Sequence, residues 1–379
     1  IGGNFAEGRG NIAITFDYAN RQALTKQQRA FAAQATSTTG TPPTGRLIEV
    51  NAIPQAAINA LFASYGVSAA QAPISGLSQM HFNSDGTLFG MGIFNNPLQV
   101  SNYRYSPTGA DGAAANQNFF PDFYSYNFDA INYLQLPLER KSAFATGRYE
   151  IQPGIEFFFQ GGWTEYSSLT ALAPTPVGVR IYGTSTPGGT QFATSDLITP
   201  GAANFITNNV VPITNPFIPA HLRTLLAART GDDPNLVGSG ATEPFRMATR
   251  SLGTGLRSSS FDNEVIQVLG GFRGEFLPGW RYEVHYSWGR TIIDQAASGN
   301  VNVQQLQRLL EAPDGGNSLC AGGYNPFGIQ PLSQACATFI DETGFTRREF
   351  TQKIAQGFVT GKVADLPGGD ASIVLGLEK

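Results

Sequence analysis

The chain of 379 residues is poor in charged side chains: only 14% are Asp, Glu, Lys or Arg, against about 25% in an average soluble domain. Its net charge is −4 and no basic block occurs, which argues against a nucleic-acid partner. No apolar run approaches the roughly 18 residues that a membrane helix needs, so a helical membrane protein is excluded.

Residues that carry catalysis or bind metals are equally scarce. His81, His221 and His285 each lie apart from carboxylate or cysteine motifs, and no Gly-x-Ser-x-Gly, His-Glu-x-x-His or phosphate-binding loop occurs. The segment Asn83–Thr87 is weakly similar to a calcium loop but lacks its terminal Glu, so a β-turn on Asp85-Gly86 is favoured. We therefore predict no enzyme, no catalytic residues, no cofactor and no metal site.

The chain has two cysteines, Cys320 and Cys336. In an oxidising compartment they can close a short loop as a disulfide; otherwise they are two unpaired thiols. A metal site needs more ligands than these two, and no His lies near them in the sequence.

In contrast, Gly (44) and Phe (27) are abundant, and the best-defined pattern is a hairpin around Leu277-Pro-Gly279. After the turn, Tyr282, Val284, Tyr286 and Trp288 alternate with Arg281, Glu283, His285 and Ser287. Such a hairpin has one apolar and one polar face. Soluble sandwiches and membrane barrels both use this pattern, so the question is which solvent the apolar face meets.

Other segments repeat the alternation, and their connections differ in length. Four short turns, near 6–10, 152–154, 277–279 and 366–369, alternate with long connections at about 20–130, 169–244 and 296–345. The third strand pair can begin as early as Phe245, and the fourth descends through 350–364. Short turns at one end and long loops at the other are typical of outer-membrane barrels, whereas soluble hairpins mostly have short loops at both ends.

The long connections contain helix patterns and one aromatic cluster. Helices are predicted at 24–33, 54–65, 219–229 and 303–311. The aromatic cluster consists of Phe119, Phe120, Phe123, Tyr124, Tyr126 and Phe128. Three interpretations are open: part of an aromatic girdle, the entrance of a ligand-binding site, or a small core under a loop.

Several segments, in consistent order along the chain, resemble TonB-dependent outer-membrane receptors of proteobacteria. Gly3–Asn11 resembles the turn after an early barrel strand, and Leu134–Phe144 is similar to the strand re-entry after an early outer loop. Gly279–Arg290 resembles a mid-barrel hairpin, and Tyr324–Gly328, flanked by the cysteines, resembles an outer loop of these receptors.

This resemblance implies an all-β fold: an antiparallel transmembrane β-barrel segment of about seven to eight strands from a 22-stranded barrel. Residues 1–379 are then expected to be a partial barrel domain that lacks the N-terminal plug and the C-terminal strands. The implied function is active import of a scarce nutrient (ferric siderophore, cobalamin, saccharide or similar) across the outer membrane of a Gram-negative cell. The partners are outer-membrane lipid, the substrate as a small molecule or metal chelate, and the TonB–ExbB–ExbD system through the plug.

In such a barrel the polar faces line the lumen. The charged candidates on these faces are Arg148, Glu156, Arg273, Arg281, Glu283 and His285. Three roles are open for them: they contact a plug, they line the passage, or they only keep the interior hydrated. For His285 a solvated position is favoured over ligand contact. Two other functions stay open: a passive porin or surface-adhesin barrel, and a secreted soluble β enzyme or binding module.

Overall fold

A computed structural model describes residues 1–35, 41, 43–93, 96–104, 117–120, 123–178, 181–183, 196–199, 204–206 and 209–379. The chain is mostly β, with two large antiparallel sheets. None of the described helices is both long enough and apolar enough to cross a bilayer.

The larger sheet, called the wall below, contains eight strands whose order in space follows their order in the chain. Its strands are β1 (Gly2–Phe5), β2 (Gly10–Arg21), β3 (Leu138–Gln152), β4 (Ile155–Leu172), β5 (Arg257–Leu277), β6 (Trp280–Val301), β7 (Asp341–Leu366) and β8 (Gly369–Glu378). Each strand is antiparallel to its neighbours, and in the described chain β1 and β8 pair on one side only. The sheet is therefore open.

The register keeps the alternation in phase across the wall. Phe157 lies opposite Phe272, which in turn lies opposite Val284. One row away, Phe158 lies opposite Gly271, which lies opposite His285. Since directly opposed residues share a face of the sheet, the apolar residues collect on one side of the wall and the polar residues on the other. We call these sides the apolar face and the polar face.

The four predicted short turns are confirmed at one end of the wall. Gly154 and Gly279 adopt the left-handed region, with φ of +83° and +78°, which lets two strands reverse within two residues. At Gly154 a side chain would also meet the carbonyl oxygen of Glu275 at 2.6 Å. The turn therefore requires glycine for both conformation and space.

The three long connections fold together at the opposite end into a second unit, called the cap below (described residues of 22–137, 173–256 and 302–340). Its helices are α1 (Gln55–Ser64), α2 (Ala220–Ala227), α3 (Val303–Glu311) and α4 (Gln334–Ile340). Its nine-stranded sheet consists of Arg46–Ile48, Met80–Phe82, Leu88–Ile93, Asn96–Ser101, Gln117–Phe120, Phe123–Tyr126, Pro176–Val177, Val210–Val211 and Phe245–Arg250. Two ribbons pair Leu24–Thr25 with Tyr133–Gln135, and Ile181–Gly183 with Asn204–Ile206. Short 3₁₀ turns occur at Ala6–Gly8 in the wall and at Lys26–Gln28 and Gly240–Thr242 in the cap.

One hydrophobic core unites the three connections. Phe62 from the first, Leu222 from the second and Leu306 from the third are all fully buried in the same cluster. In α1 the buried residues Ile58 and Phe62 are four apart, which places both on one side of the helix. The cap is thus a packed structure rather than three separate loops.

Three of the four predicted helices are confirmed, and one is wrong. The predicted helix at 24–33 is instead a short strand, Leu24–Thr25, followed by a 3₁₀ turn. The backbone N–H groups of Lys26 and Gln27 donate to the carbonyls of Asn132 and Ala130, each at 2.9 Å. Tertiary hydrogen bonds therefore override the local helix pattern. α4 has only seven residues and was not among the predicted helices.

Two predicted strand limits need correction. The segment Phe245–Arg250 is not the start of β5 but a buried strand of the cap sheet, paired with Arg46–Ile48 and Pro176–Val177. The third connection is also shorter than the predicted 296–345, because β6 continues to Val301 and β7 already begins at Asp341. Both long strands extend beyond the alternating part of their sequences.

We expect Leu222→Ala to destabilise the cap by about 2–5 kcal/mol, because it leaves a cavity among side chains from all three connections. Leu77→Ala is the matched control, since Leu77 is 52% exposed and its truncation should change stability by about 0.5 kcal/mol or less. Hydrogen exchange of cap amides in the full chain measures both variants. Equal protection in the two variants would contradict the shared core.

Candidate functional site

Glu156 is the centre of an ion-pair network on the polar face of the wall. Its two carboxylate oxygens are bonded separately: Oε2 lies 3.1 Å from Nη1 of Arg148, and Oε1 lies 2.6 Å from Nη2 of Arg273. The three residues come from β3, β4 and β5; the register places Arg273 directly opposite Glu156 and Arg148 opposite Phe158, two residues further along β4. One carboxylate thus links three strands near the short-turn end.

Three further candidates lie beside this network. On β6, Nδ1 of His285 is 3.2 Å from Oε1 of Glu283, and Glu283 lies directly opposite Arg273. Arg281 lies opposite Glu275. It lines a hollow of about 550 Å³ together with Glu156, Arg273 and Glu283. The structure therefore gathers all six sequence-predicted candidates on one polar surface.

An aromatic ring supports this polar surface. The guanidinium carbon of Arg273 lies 4.9 Å from the ring centroid of Phe158, and the imidazole of His285 lies edge-on to the same ring at 6.4 Å. A cation over a ring face is held electrostatically and keeps its hydrogen-bond donors directed outward. The surface can thus bind a polar or charged partner through both signs of charge.

Side chains of the apolar face are exposed on several strands of the wall. Phe16 is 80% exposed, Tyr286 50% and Val268 48%. A charged row borders this face on the cap side, where Glu165 lies opposite Glu264, and Nε of Arg290 donates to Oε1 of Glu349 at 2.8 Å. Aromatic side chains occur near both edges of the face: Tyr18, Trp163 and Trp288 toward the cap, and Phe5, Tyr149, Phe276 and Trp280 toward the short turns.

The aromatic cluster before β3 belongs in part to the cap core. Tyr124 and Tyr126 are 2% and 1% exposed in the strand Phe123–Tyr126. An aromatic girdle or the entrance of a ligand-binding site is therefore wrong for these two residues, because both would expose the rings. Phe128 is half-buried, and the side chains of Phe119, Phe120 and Phe123 lie outside the described residues.

The segment at 83–87 is a turn, as favoured from the sequence. Gly86 N–H donates to the carbonyl of Asn83 at 3.0 Å, and the carboxylate of Asp85 accepts from the Thr87 backbone at 3.0 Å. Arg104 forms an ion pair with Asp85. Within the described residues, no group of three or more His, Cys, Asp or Glu side chains could hold a metal ion.

Cys320 and Cys336 are joined by a disulfide, with their Cα atoms 5.0 Å apart. Both lie in the buried cap core, where Cys336 is in the first turn of α4 and its backbone N–H donates to Oγ of the N-cap residue Ser333 at 3.1 Å. A bond that closes a loop of this size stabilises a fold by about 3 kcal/mol, mainly through the unfolded chain. The disulfide thus fixes the segment that follows α3 against α4, within the third connection.

A buried polar network in the cap was missed from the sequence. Arg246 forms an ion pair with Asp233, and both side chains are at most 4% exposed. Glu243 accepts from Asn51 Nδ2 at 2.8 Å and from the Asp233 backbone at 2.6 Å. Burial raises the pKa of Glu243, while these two hydrogen bonds oppose the rise. Its members lie far apart in the sequence, so no local pattern could have identified it.

His81 is the most deeply buried histidine described. Its Nε2 lies 3.1 Å from the sulfur of Met91, and its ring stacks on Phe89 at 5.3 Å and meets Tyr124 edge-on at 5.5 Å. Burial, and secondarily the charge of Arg46, hold the pKa of His81 well below its ordinary value. The imidazole is therefore neutral and serves as a core aromatic.

No protein-family model matches the sequence, and no curated protein matches it either. Function must therefore be inferred from the two faces of the wall and from the cap.

The lowered pKa of His81 predicts acid sensitivity of the cap. Below about pH 6.5 the unfolded chain binds a proton at His81 that the folded chain does not, so stability falls as the pH falls. In His81→Phe this contribution is absent, and the loss of stability between pH 7.5 and 5 should be smaller. Denaturant titrations at both pH values measure the free energy of unfolding of the cap in the two proteins. An identical pH dependence in both would contradict the assignment of the acid sensitivity to His81.

Proposed function

We propose that the wall is part of a closed transmembrane β-barrel in the outer membrane of a Gram-negative cell. The observation that supports this most is the apolar face, which continues across the strands and is bordered by aromatic and charged residues while the opposite face is polar. In a soluble protein such a face would be buried against a second layer, whereas here Phe16 and Tyr286 are exposed. Lipid is the solvent that suits it.

The dimensions of the apolar face suit a bilayer. Trp280 and the charged residue Arg290 lie ten residues apart on β6, which corresponds to about 34 Å along a strand. With a strand tilt of about 40°, this becomes about 26 Å across the membrane, close to the apolar band of about 25 Å in outer-membrane barrels.

Closure follows from backbone chemistry. Hydrocarbon offers no hydrogen-bond partners, so every strand in lipid must pair on both sides. In the described wall β1 and β8 each have one unpaired edge. A barrel would therefore need strands in addition to these eight, in agreement with the 22 strands that the resemblance to TonB-dependent receptors implies.

The proposed function of the whole protein is active import of a scarce nutrient, a small molecule or metal chelate, with energy from the TonB–ExbB–ExbD system. The energy coupling, and the plug domain through which TonB would act, are inferred from the motif resemblance. In such a barrel the cap, whose three connections share one packed core, would lie at the end that faces outward. The polar face, with Glu156 at its centre, would line the lumen.

Partitioning and uptake test this proposal in two stages. The full-length protein should enter the detergent phase and migrate as a compact species that heating unfolds; recovery as an aqueous monomer would exclude the barrel. Cells that express it should accumulate a substrate only while TonB is present. Uptake that is proportional to concentration and independent of TonB would instead indicate a porin.

Tyr286→Arg should destabilise the barrel by about 2–4 kcal/mol, because it places a cation in the lipid-facing band near mid-membrane. Gln160→Arg is the matched control, since Gln160 lies in the adjacent row on the polar face and is exposed. Denaturant unfolding in lipid vesicles measures both. If both substitutions have the same small effect, the apolar face does not meet lipid.

A further inference from the structure

Two arginines flank the point where the second long connection returns to the wall. Arg250 is the last residue of the cap strand Phe245–Arg250, and Arg257 is the first residue of β5. The register places Arg250 opposite Pro176 and Arg257 opposite Leu172, so both lie beside the segment that follows β4. Both arginines therefore lie at the base of the cap, beside the same short segment.

Backbone carbonyls hold both guanidinium groups. Nη1 of Arg250 donates to the carbonyl of Pro174 at 2.6 Å, and Nε of Arg257 donates to that of Ala173 at 2.9 Å. These carbonyls belong to consecutive residues, so the two guanidinium groups bind neighbouring peptide units. Nε of Arg250 also donates to the carbonyl of Thr41 at 2.7 Å.

The charge of this pair is not compensated within the described chain. Arg246, on the same cap strand, is equally buried but forms an ion pair with Asp233. Neither Arg250 nor Arg257 has a carboxylate partner among the described residues, although Arg250 is only 5% exposed. Burial, together with the positive charge of Arg257, lowers the pKa of Arg250 to about 10, against an opposing effect of Tyr126. Two close cations without a counter-charge are unfavourable in a protein interior.

Part of each guanidinium group has no hydrogen-bond partner among the described residues. Nη2 of Arg250 and both Nη atoms of Arg257 have no hydrogen bond to the described residues. The guanidinium of Arg250 lies 4.8 Å from the centroid of the Tyr126 ring, which fixes its plane. Arg250 also lines a cavity of about 40 Å³ with the polar side chains of Ser251, Asn325 and Gln330. That space accommodates one small oxygen-bearing group beside Arg250, and Arg257 is not among its lining residues.

We propose that Arg250 and Arg257 form a binding site for an oxyanion, a carboxylate or phosphate group, at the base of the cap. Planar guanidinium groups bind both kinds of group in a bidentate manner, which a point charge cannot reproduce. The anion is either a free small ion or the anionic group of a larger imported compound. The second case rests on the proposed import function, whereas the first does not.

Titration calorimetry of the full-length protein in detergent, at constant ionic strength, tests the site with inorganic phosphate and with citrate against chloride. Arg257→Gln should weaken binding of the anion by tenfold or more, and Arg257→Lys should restore part of it, because Lys keeps the charge but loses the fork. Arg308→Gln is the matched control, since Arg308 is an exposed cap arginine that stacks on Phe339 at 5.7 Å. Its affinity for the anion should equal that of the wild-type protein.

Arg250 is buried, so its substitution can also disturb the fold. The Arg257 variants are therefore the main test, and Arg250→Gln is interpreted only if the cap amides of that variant keep their protection from hydrogen exchange. Binding of neither anion by the wild-type protein, or unchanged binding by Arg257→Gln, would overturn the site. Phosphate binding without any TonB-dependent uptake would support the site while rejecting the import function. Competition by phosphate against uptake of an anionic compound would identify the site as part of the import path.

Discussion

Backbone hydrogen bonding between neighbouring strands is the constraint on which the wall depends. Because each ladder fixes which residues are opposed, a shift of one residue in any strand would exchange its two faces. The rows through Phe157–Phe272–Val284 and Phe158–Gly271–His285 show that the faces stay in phase from β4 to β6. The same ladder therefore creates the outward apolar surface and collects the charged residues around Glu156.

The cap solves a different physical problem. Each long connection alone would expose apolar residues and leave backbone groups without partners, but together they bury Phe62, Leu222 and Leu306 in one core. Long-range hydrogen bonds, such as the pair that Gln307 makes with both backbone groups of Val210, then fix one connection against another. Stability of the cap is thus a property of all three connections, and the disulfide adds to it locally.

Local sequence predicted the hairpins of the wall and most helices of the cap, but not how the three connections pack together. Period-two alternation and turn glycines such as Gly154 and Gly279 predicted the hairpins, because a strand pair is decided by neighbouring residues. The helix at 303–311 was predicted with its limits, since Asn302 caps it locally. The predicted helix at 24–33 failed because carbonyls more than a hundred residues away capture its N–H groups. The six charged candidates were assigned to one face by periodicity alone.

The same limit explains which site residues were missed. Asp233, Glu243 and Arg250 derive their properties from burial and from distant partners, neither of which has a local pattern. Their positions depend on how three connections pack, and this information is distributed over the whole chain. Charged residues within polar connections therefore looked like ordinary solvated side chains.

The junction of the third connection with the wall has a mechanical consequence. α3 begins two residues after β6 ends, α4 ends where β7 begins, and Asn302 N–H closes the base by donating to the Ile340 carbonyl at 2.7 Å. Because no long linker separates the helices from the strands, α3 and α4 are attached directly to the ends of β6 and β7. A force on that part of the cap would be transmitted directly into the paired strands β6 and β7.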